Sequence, residues 1–456
     1  MSYNAMNNSN GQRSRGSIGV WFMPLTFLMH GTLLPLCPAE DWPGPIVRDR
    51  EQAETLQAHT APAKVASPRD TLPDTQPSWF AGAAPHSLAQ QKELLLPYDA
   101  PASELRFLRH LPSLTYLRLS RHVSDSDCSQ LVVCRQLETL EAGRSVKGKG
   151  LIYLQALPRL THLHLAATDD VTLQYVVQVK QLKKLTLRLS GVSDAGLALL
   201  TELPQLEALT LVGRFHENRI TQAGLEKAIR PLLHLKHLAL YMDHIDYSFT
   251  ASLDGLQDLI IPGSPVGDAF IERLSELRGL RHLDVSGTQI TDKSMRYAAR
   301  CKEMELLDVS RTSISDAGLS DLSPAVRLKR LYLYNTRMTD QGLRAVGRLR
   351  SLTHLALPKG IAGSGLVHLE HLDLTWLDLS GARVTDIDLN NLKQLSRLET
   401  LLLSDTDVTA AGIRSLRGMK SLLRVDARGT NIAYGDIVKL RQDLRFQILH
   451  DGPFGR

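Results

Sequence analysis

The chain is poor in aromatic residues: Phe, Trp and Tyr make up only 5% of its 456 residues. That scarcity weighs against a protein that stacks the bases of a single strand on rings. A basic block is also missing. Lys and Arg are interspersed with Asp and Glu, and the formal net charge is a modest +5. No nucleic-acid partner is expected on that ground. There is no Gly-x-Ser-x-Gly, no His-Glu-x-x-His and no phosphate loop, so neither enzyme activity nor a cofactor is expected. Gly143–Gly150 holds Gly, Ser and Lys, but not at phosphate-loop spacing. No metal is expected either, although there are sixteen histidines. His162, His237, His282 and His354 share one strand position yet do not fall on adjacent strands, whereas a metal needs three or four convergent ligands. They are read as solvated side chains.

Long apolar runs are equally scarce. One stretch, from Ile18 to Cys37, follows Arg13 and Arg15 and ends in Cys37-Pro38-Ala39. Pro24, His30 and Pro35 make it a poor spanning helix. Residues 1–39 read as a secretory signal peptide, which places the protein in the periplasm, the cell envelope or outside the cell. The alternatives are an uncleaved anchor, the one route to membrane contact, and a start assigned too far upstream of Met23, which would leave the chain cytoplasmic. Residues 40–93 are rich in Pro, Ala, Thr and Gln without an apolar period, a disordered linker by composition.

What the chain has in abundance is repetition. Leu280-Arg-His-Leu283-Asp-Val285-Ser-Gly-Thr288-Gln-Ile290-Thr-Asp292 is echoed from Met304 and again from Leu328, each time 24 residues on. A fixed period in the range of about 20–50 residues means a solenoid, a propeller or an array. The first strand leucine recurs at Leu117, Leu140, Leu163, Leu185, Leu209, Leu238, Leu259, Leu283, Leu307, Leu331, Leu355, Leu377 and Leu401, then as Val425. These are 14 repeats, with two possible caps at Leu94–Leu96 and Ile448; residues 451–456 form a tail. Leu-x-Leu alternation puts both leucines on one face of a short strand. Thr or Ser before Asp, as in Thr291-Asp292 and Ser315-Asp316, reads as a helix N-cap with an acid suited to the dipole. A βαβ unit of a doubly wound sheet needs roughly 30 or more residues, so at this period the strands stack directly.

The pattern Leu-x-x-Leu-x-Leu-x-x-Thr-x-Ile-Thr-Asp-x-Gly-Leu resembles leucine-rich repeats. It is most similar to their cysteine-containing subfamily, with Thr where a second Cys often stands and with Cys134 and Cys301 at the other Cys position. Similar repeats occur in bacterial envelope-associated proteins and F-box substrate receptors. Over residues 94–450 the resemblance implies an α/β leucine-rich-repeat solenoid, a curved horseshoe with parallel strands on the concave face and helices on the convex face. Strands stack at about 4.8 Å and helices at about 10 Å, so the arc bends toward the strands. Cys134 and Cys301 lie seven repeats apart, roughly 30 Å at that spacing and too far for a disulfide. A Cys128–Cys134 bridge stays open beside the reading of buried thiols that pack as small hydrophobes.

The expected function is non-enzymatic binding of a protein or peptide on the concave face. Asp284 and Asp308 fall on adjacent strands, where facing carboxylates would suit a basic group on a partner. Alternatively, Arg330 neutralises Asp308. Arg330, Tyr332, Tyr334 and Trp376 form an aromatic–Arg group of the kind that dominates interfaces, and His282, His354 and Asp378 complete the candidate face. The 29-residue step from Leu209 to Leu238 inserts a loop with Arg214, Phe215, His216 and Arg219. It is either a second binding element or a tolerated insertion; a catalytic or carbohydrate-binding role there would need acids and a nucleophile, and only Glu217 is present. The steps at Leu238–Leu259 and Leu355–Leu377 are short and leave room for a turn in place of a helix. Pro262 and Pro358 mark strand ends.

Two alternatives are a recognition subunit of a ubiquitin ligase, as in F-box relatives, and a structural envelope component. The ligase reading needs a helical adaptor module that residues 40–93 do not provide. Mass spectrometry of the mature N-terminus separates them. Cleavage near Ala39 is expected and would exclude the ligase reading.

Overall fold

A computed structural model describes residues 88–213, 219–242 and 245–452, all within one compact unit that spans Gly82–Arg456. Its backbone is one parallel sheet of sixteen strands in sequence order. The first six are β1 (Glu93–Leu95), β2 (Tyr116–Arg118), β3 (Thr139–Ala142), β4 (His162–Thr168), β5 (Lys184–Leu189) and β6 (Ala208–Val212). Then come β7 (His237–Tyr241), β8 (Asp258–Ile260), β9 (His282–Asp284), β10 (Leu306–Asp308) and β11 (Arg330–Tyr332). The last five are β12 (His354–Ala356), β13 (Trp376–Asp378), β14 (Thr400–Leu402), β15 (Arg424–Asp426) and β16 (Gln447–Leu449). Strands form at both positions beyond the 14 regular repeats.

The register follows the leucines. Leu283, Leu307, Leu331, Leu355 and Leu377 are direct partners across β9–β13. Each is buried, because period-2 alternation turns them all to the inside of the coil. No repeat can bury such a face alone, so neighbour stacking makes the core.

The return segments are not uniformly helical, as the resemblance implied. Steps of 24 residues or more mostly close through α-helix, as at Gln222–Ile229, Asp268–Leu274, Asp292–Ala298 and Asp316–Asp321. The first three 23-residue steps close through 3-10 helix at Ala102–His110, Asp125–Val133 and Gly148–Ala156. So do the 21-residue step, at Ser248–Ser252, and the 22-residue step at Ser364–Leu369, whereas the 22-residue step from Leu163 to Leu185 keeps an α-helix at Asp170–Val176. A 3-10 helix rises about 2.0 Å per residue against about 1.5 Å for an α-helix, so fewer residues cover the same return path. Asp388–Gln394 does the same in a 24-residue step, which shows that length is not the whole cause. Among the described residues, no helix is long and apolar enough to cross a membrane; Ile18–Cys37 lies outside them.

The Thr/Ser-Asp pair does more than cap a helix. Asp292 Oδ1 accepts the backbone N–H of Ser315 at 2.7 Å and its Oδ2 accepts the Ser315 hydroxyl at 2.6 Å, one repeat on. Asp316 takes Thr339 in the same way, Asp268 takes Thr291, and Asp386 takes Thr409. The hydroxyls of Ser315 and Thr339 in turn accept helix N–H groups from Ala317 and Gln341. The acid of one repeat thus anchors the cap of the next. This close approach also explains the Gly two residues after the Asp: a Cβ at Gly318 would sit 2.5 Å from Asp292 Oδ1 and 2.9 Å from its Cα. In the repeat where Ser294 replaces that Gly, its hydroxyl donates to Asp268 Oδ1 at 2.5 Å. Burial alone would raise the Asp268 carboxyl, but the hydrogen bonds from Ser294 and Thr291 outweigh it and hold the group below its ordinary value.

Cys128, Cys134 and Cys301 are buried and unbridged. Burial pushes their thiols up to about 12, 12 and 11 respectively, so they are packing groups.

Gly318→Ala is expected to cost about 1–3 kcal/mol by overpacking against Asp292. Asp292→Ala, which strips the Ser315 cap of its partner, is expected to cost about 1–2 kcal/mol. Urea denaturation followed by circular dichroism measures both, and an unchanged midpoint in either would discount the link between repeats.

Candidate binding face on the concave sheet

Side chains at alternate strand positions point away from the leucine core and line the opposite face of the sheet. The register sets them in rows. One row runs Asp258, His282, Leu306, Arg330, His354, Trp376, and a second runs Asp284, Asp308, Tyr332, Ala356, Asp378. The candidate residues of the C-terminal half therefore do share one surface. Tyr334 lies just past β11 and joins the same face.

The aromatics meet one another. Tyr332 and Trp376 stand two strands apart with ring centroids 6.2 Å apart in an edge-to-face arrangement, and His354 stacks on Trp376 at 6.2 Å. Ala356, the small residue between Tyr332 and Asp378 in the row, is fully buried. All three rings are half-buried, so each is held by its neighbours and still offers surface. Burial and the Arg330 charge lower the His354 imidazole, and burial pushes the Tyr332 phenol up to about 12.

The acids differ from expectation. A binding face needs its acids accessible, but the relative exposures of Asp284, Asp308 and Asp378 are 5%, 2% and 0%. Each carboxylate Oδ1 accepts the N–H two residues on, from Ser286 at 2.9 Å, Ser310 at 2.8 Å and Ser380 at 2.7 Å. The acid closes the turn that ends the strand, an Asx-type bond that draws the side chain down onto the sheet. Asp426 does the same for Arg428 N–H at 3.1 Å.

What neutralises these acids varies. Tyr334, expected in the aromatic–Arg group, instead reaches over Ala356 and donates its hydroxyl to Asp378 Oδ2. The guanidinium of Arg428 takes Asp426, with Nε 2.9 Å from Oδ1. Asp284 and Asp308 face each other on adjacent strands; Arg330 makes no ion pair with Asp308, and the charge that acts on Asp308 from its own repeat is that of Arg311. Burial, and for Asp308 also the charge of Asp284, raises both carboxyls above their ordinary value.

One acid was missed. Asp258 precedes the strand leucine in β8, at the position that holds His237 in β7 and His282 in β9, so the register sets it between two histidines. Its oxygens meet His237 Nδ1 and, at 2.8 Å, His282 Nδ1. Burial would raise Asp258, but the two imidazoles outweigh it and hold the carboxyl below its ordinary range. The signal was legible in the shared strand position of the three residues. The reading of solvated histidines is corrected accordingly: His237 and His282 are half-buried against Asp258. Burial takes His162 and His164 down to about 4, so both stay neutral near pH 7. Among the described residues, no group of three or more His, Cys, Asp or Glu is placed to hold a metal.

Of the loop candidates, Arg214, Phe215 and His216 lie outside the described residues. Arg219 is exposed, and its N–H donates to Val192 O at 2.8 Å, pairing this segment with the preceding repeat.

The Asp284–Asp308 pair has a defined effect on stability. Above the ordinary carboxylate value near 4, and up to the raised one, the folded chain keeps a proton that the unfolded chain has lost. The pair's contribution to stability therefore falls as pH rises through that window. Asp308→Asn retains an acceptor for Ser310 N–H and removes the charge. Its melting temperature relative to the parent is expected to climb as pH rises from about 4 toward the raised value of the pair. A pH-independent difference would contradict the shared-charge description.

No family model and no curated protein matches the sequence. Solved structures do match it. A leucine-rich-repeat protein of Leptospira interrogans is 16% identical, with 78% of this chain and 99% of that one covered and a TM-score of 0.42. An internalin of Listeria monocytogenes is 17% identical, with 81% and 89% covered and a TM-score of 0.35. A structure of TLR13 in complex with a single-stranded RNA is 17% identical, with 80% and 65% covered and a TM-score of 0.40. Such likenesses concern fold and say nothing of this chain's partner. On the register of its own sheet, the chain is a leucine-rich-repeat solenoid.

Proposed function

We propose that the protein is a non-enzymatic binding scaffold whose ligand, a protein or peptide, lies along the concave face of β9–β13. The observation that carries this reading is the cluster of Tyr332, His354 and Trp376, three half-buried rings in mutual contact on a rigid sheet. Side chains already held by neighbours lose little freedom when a partner covers them, and Trp and Tyr in such settings are the usual centres of binding energy. Arg330, in the row between His282 and His354, supplies a charged group at the cluster's edge. Tyr334 and Asp378 support the floor beneath a ligand and do not contact it as free groups.

Export accompanies this reading, on the strength of the apolar segment at Ile18–Cys37 and its flanking arginines. A ligase-subunit role and a purely structural envelope role remain the alternatives. Neither accounts for an aromatic cluster on the concave side.

The expected consequence is specific. Tyr332→Ala with Trp376→Ala should weaken binding of the partner co-purified from the native source by tenfold or more, about 1.4 kcal/mol or greater. Leu423→Ala, at an exposed position away from the cluster, should leave it unchanged. Equal affinity of the double variant and the parent would remove the proposal. Recovery of nucleic acid as the retained partner would replace it with another.

A further inference from the structure

The aromatic cluster is flanked on both sides by arginine. In direct register, one residue ahead of each strand leucine, stand Arg330 on β11, His354 on β12, Trp376 on β13, Thr400 on β14 and Arg424 on β15. Neither arginine makes an ion pair or a side-chain hydrogen bond among the described residues. The carboxylates along these strands are engaged elsewhere: Glu305 with Lys329 at 2.8 Å, Asp378 with the Tyr334 hydroxyl and Asp426 with Arg428. Asp308 is 2% exposed and serves its own turn. Arg330 is itself half-buried. Its neighbour on β10, Leu306, is apolar and 1% exposed. On its other side burial, with the Arg330 charge, holds the His354 imidazole below its ordinary value. Two residues along the strand, on the same face, stands the phenol of Tyr332. The guanidinium of Arg330 is thus set among uncharged side chains. A ligand that covers the rings of Tyr332 and His354 must cover it too, and a covered charge without a counter-ion is strongly unfavourable.

We propose that the partner of this face is an extended acidic–apolar segment: one acidic side chain on Arg330, apolar side chains over Tyr332 and Trp376, and a second acidic side chain on Arg424. This deepens the concave-face reading and rests on it. A carboxylate matches the guanidinium fork with two parallel hydrogen bonds, which fixes orientation as well as charge. The spacing sets the pattern. Four strand spacings separate Arg330 from Arg424, about 19 Å, and an extended chain advances about 3.3 Å per residue. The two acids therefore stand about five or six residues apart. The sheet continues on either side of the cluster, from β10 back to β1 and on to β16, so the segment can run through the trough, and side-chain carboxylates answer the arginines without a chain terminus at this place. A nucleic-acid strand suits the row less well. It brings a phosphate at every step, whereas between the two arginines the row offers only rings and the hydroxyl of Thr400.

The test uses displayed nonapeptides of randomised sequence, long enough at about 30 Å extended to span both arginines, selected on the immobilised full chain. Binders lost on Tyr332→Ala/Trp376→Ala define those that use the concave face. These peptides are expected to carry Asp or Glu on either side of an apolar residue, five or six positions apart. Exchanging both acids for their amides, which keeps the shape and removes the charge, should weaken binding to the parent by about tenfold or more. The same exchange should matter by less than about twofold on Arg330→Gln/Arg424→Gln. Concave-face binders without acids, amide peptides that bind as well as acidic ones, or an equal amide effect on the double Gln variant would each overturn the acidic ligand while leaving the concave reading in place. A single-stranded oligonucleotide that displaces the peptides from the parent and fails to bind Arg330→Gln/Arg424→Gln would assign the arginines to phosphate and overturn it as well. Should no selected peptide depend on Tyr332 and Trp376, the concave reading falls and the acidic ligand falls with it. The amide comparison on the parent needs no variant to fold.

Discussion

Everything in this molecule depends on stacking leucine over leucine at one strand spacing. A repeat of this size has too little apolar surface to fold alone, so each must place its strand leucine against those of its neighbours. That requirement sets the parallel sheet and the direction of the side chains between the leucines. It also tolerates much elsewhere: the return segment can be α-helix, 3-10 helix or both, provided it delivers the next leucine to its place.

The hydrogen bonds from Asp292 to Ser315 and from Asp316 to Thr339 are the polar counterpart of that stacking. They satisfy orphan donors at a helix start with an acceptor from the preceding repeat, so capping and repeat-to-repeat adhesion are one interaction. The adjacent glycine follows from it, because the carboxylate occupies the space a Cβ would need. Three consensus positions, Thr or Ser, Asp and Gly, thus have one physical cause.

The concave face shows how a scaffold element acquires a chemical character. Asp at the strand end exists for the turn, where it accepts the N–H two residues later. Repeating the turn repeats the acid, and the sheet then sets these acids in a row. Whether the row becomes inert or charged depends on what each neighbour supplies: Tyr334 to Asp378, Arg428 to Asp426, and at Asp284 another carboxylate.

The leucine period determined by itself the strands, their order and the rows: the pairing of Asp284 with Asp308 and the neighbourhood of Tyr332 and Trp376 could be counted off from the spacing. Such features depend on a local alternation that the chain carries in every repeat. The tertiary structure alone decided the state of those residues. Asp284 and Asp308 are buried because the turn bond draws them down onto the sheet. Tyr334 is engaged because it crosses a small Ala356 to a strand 44 residues further on, and His237 and His282 converge on Asp258 from either side. Those outcomes turn on the size and reach of side chains on neighbouring strands, which no single repeat specifies.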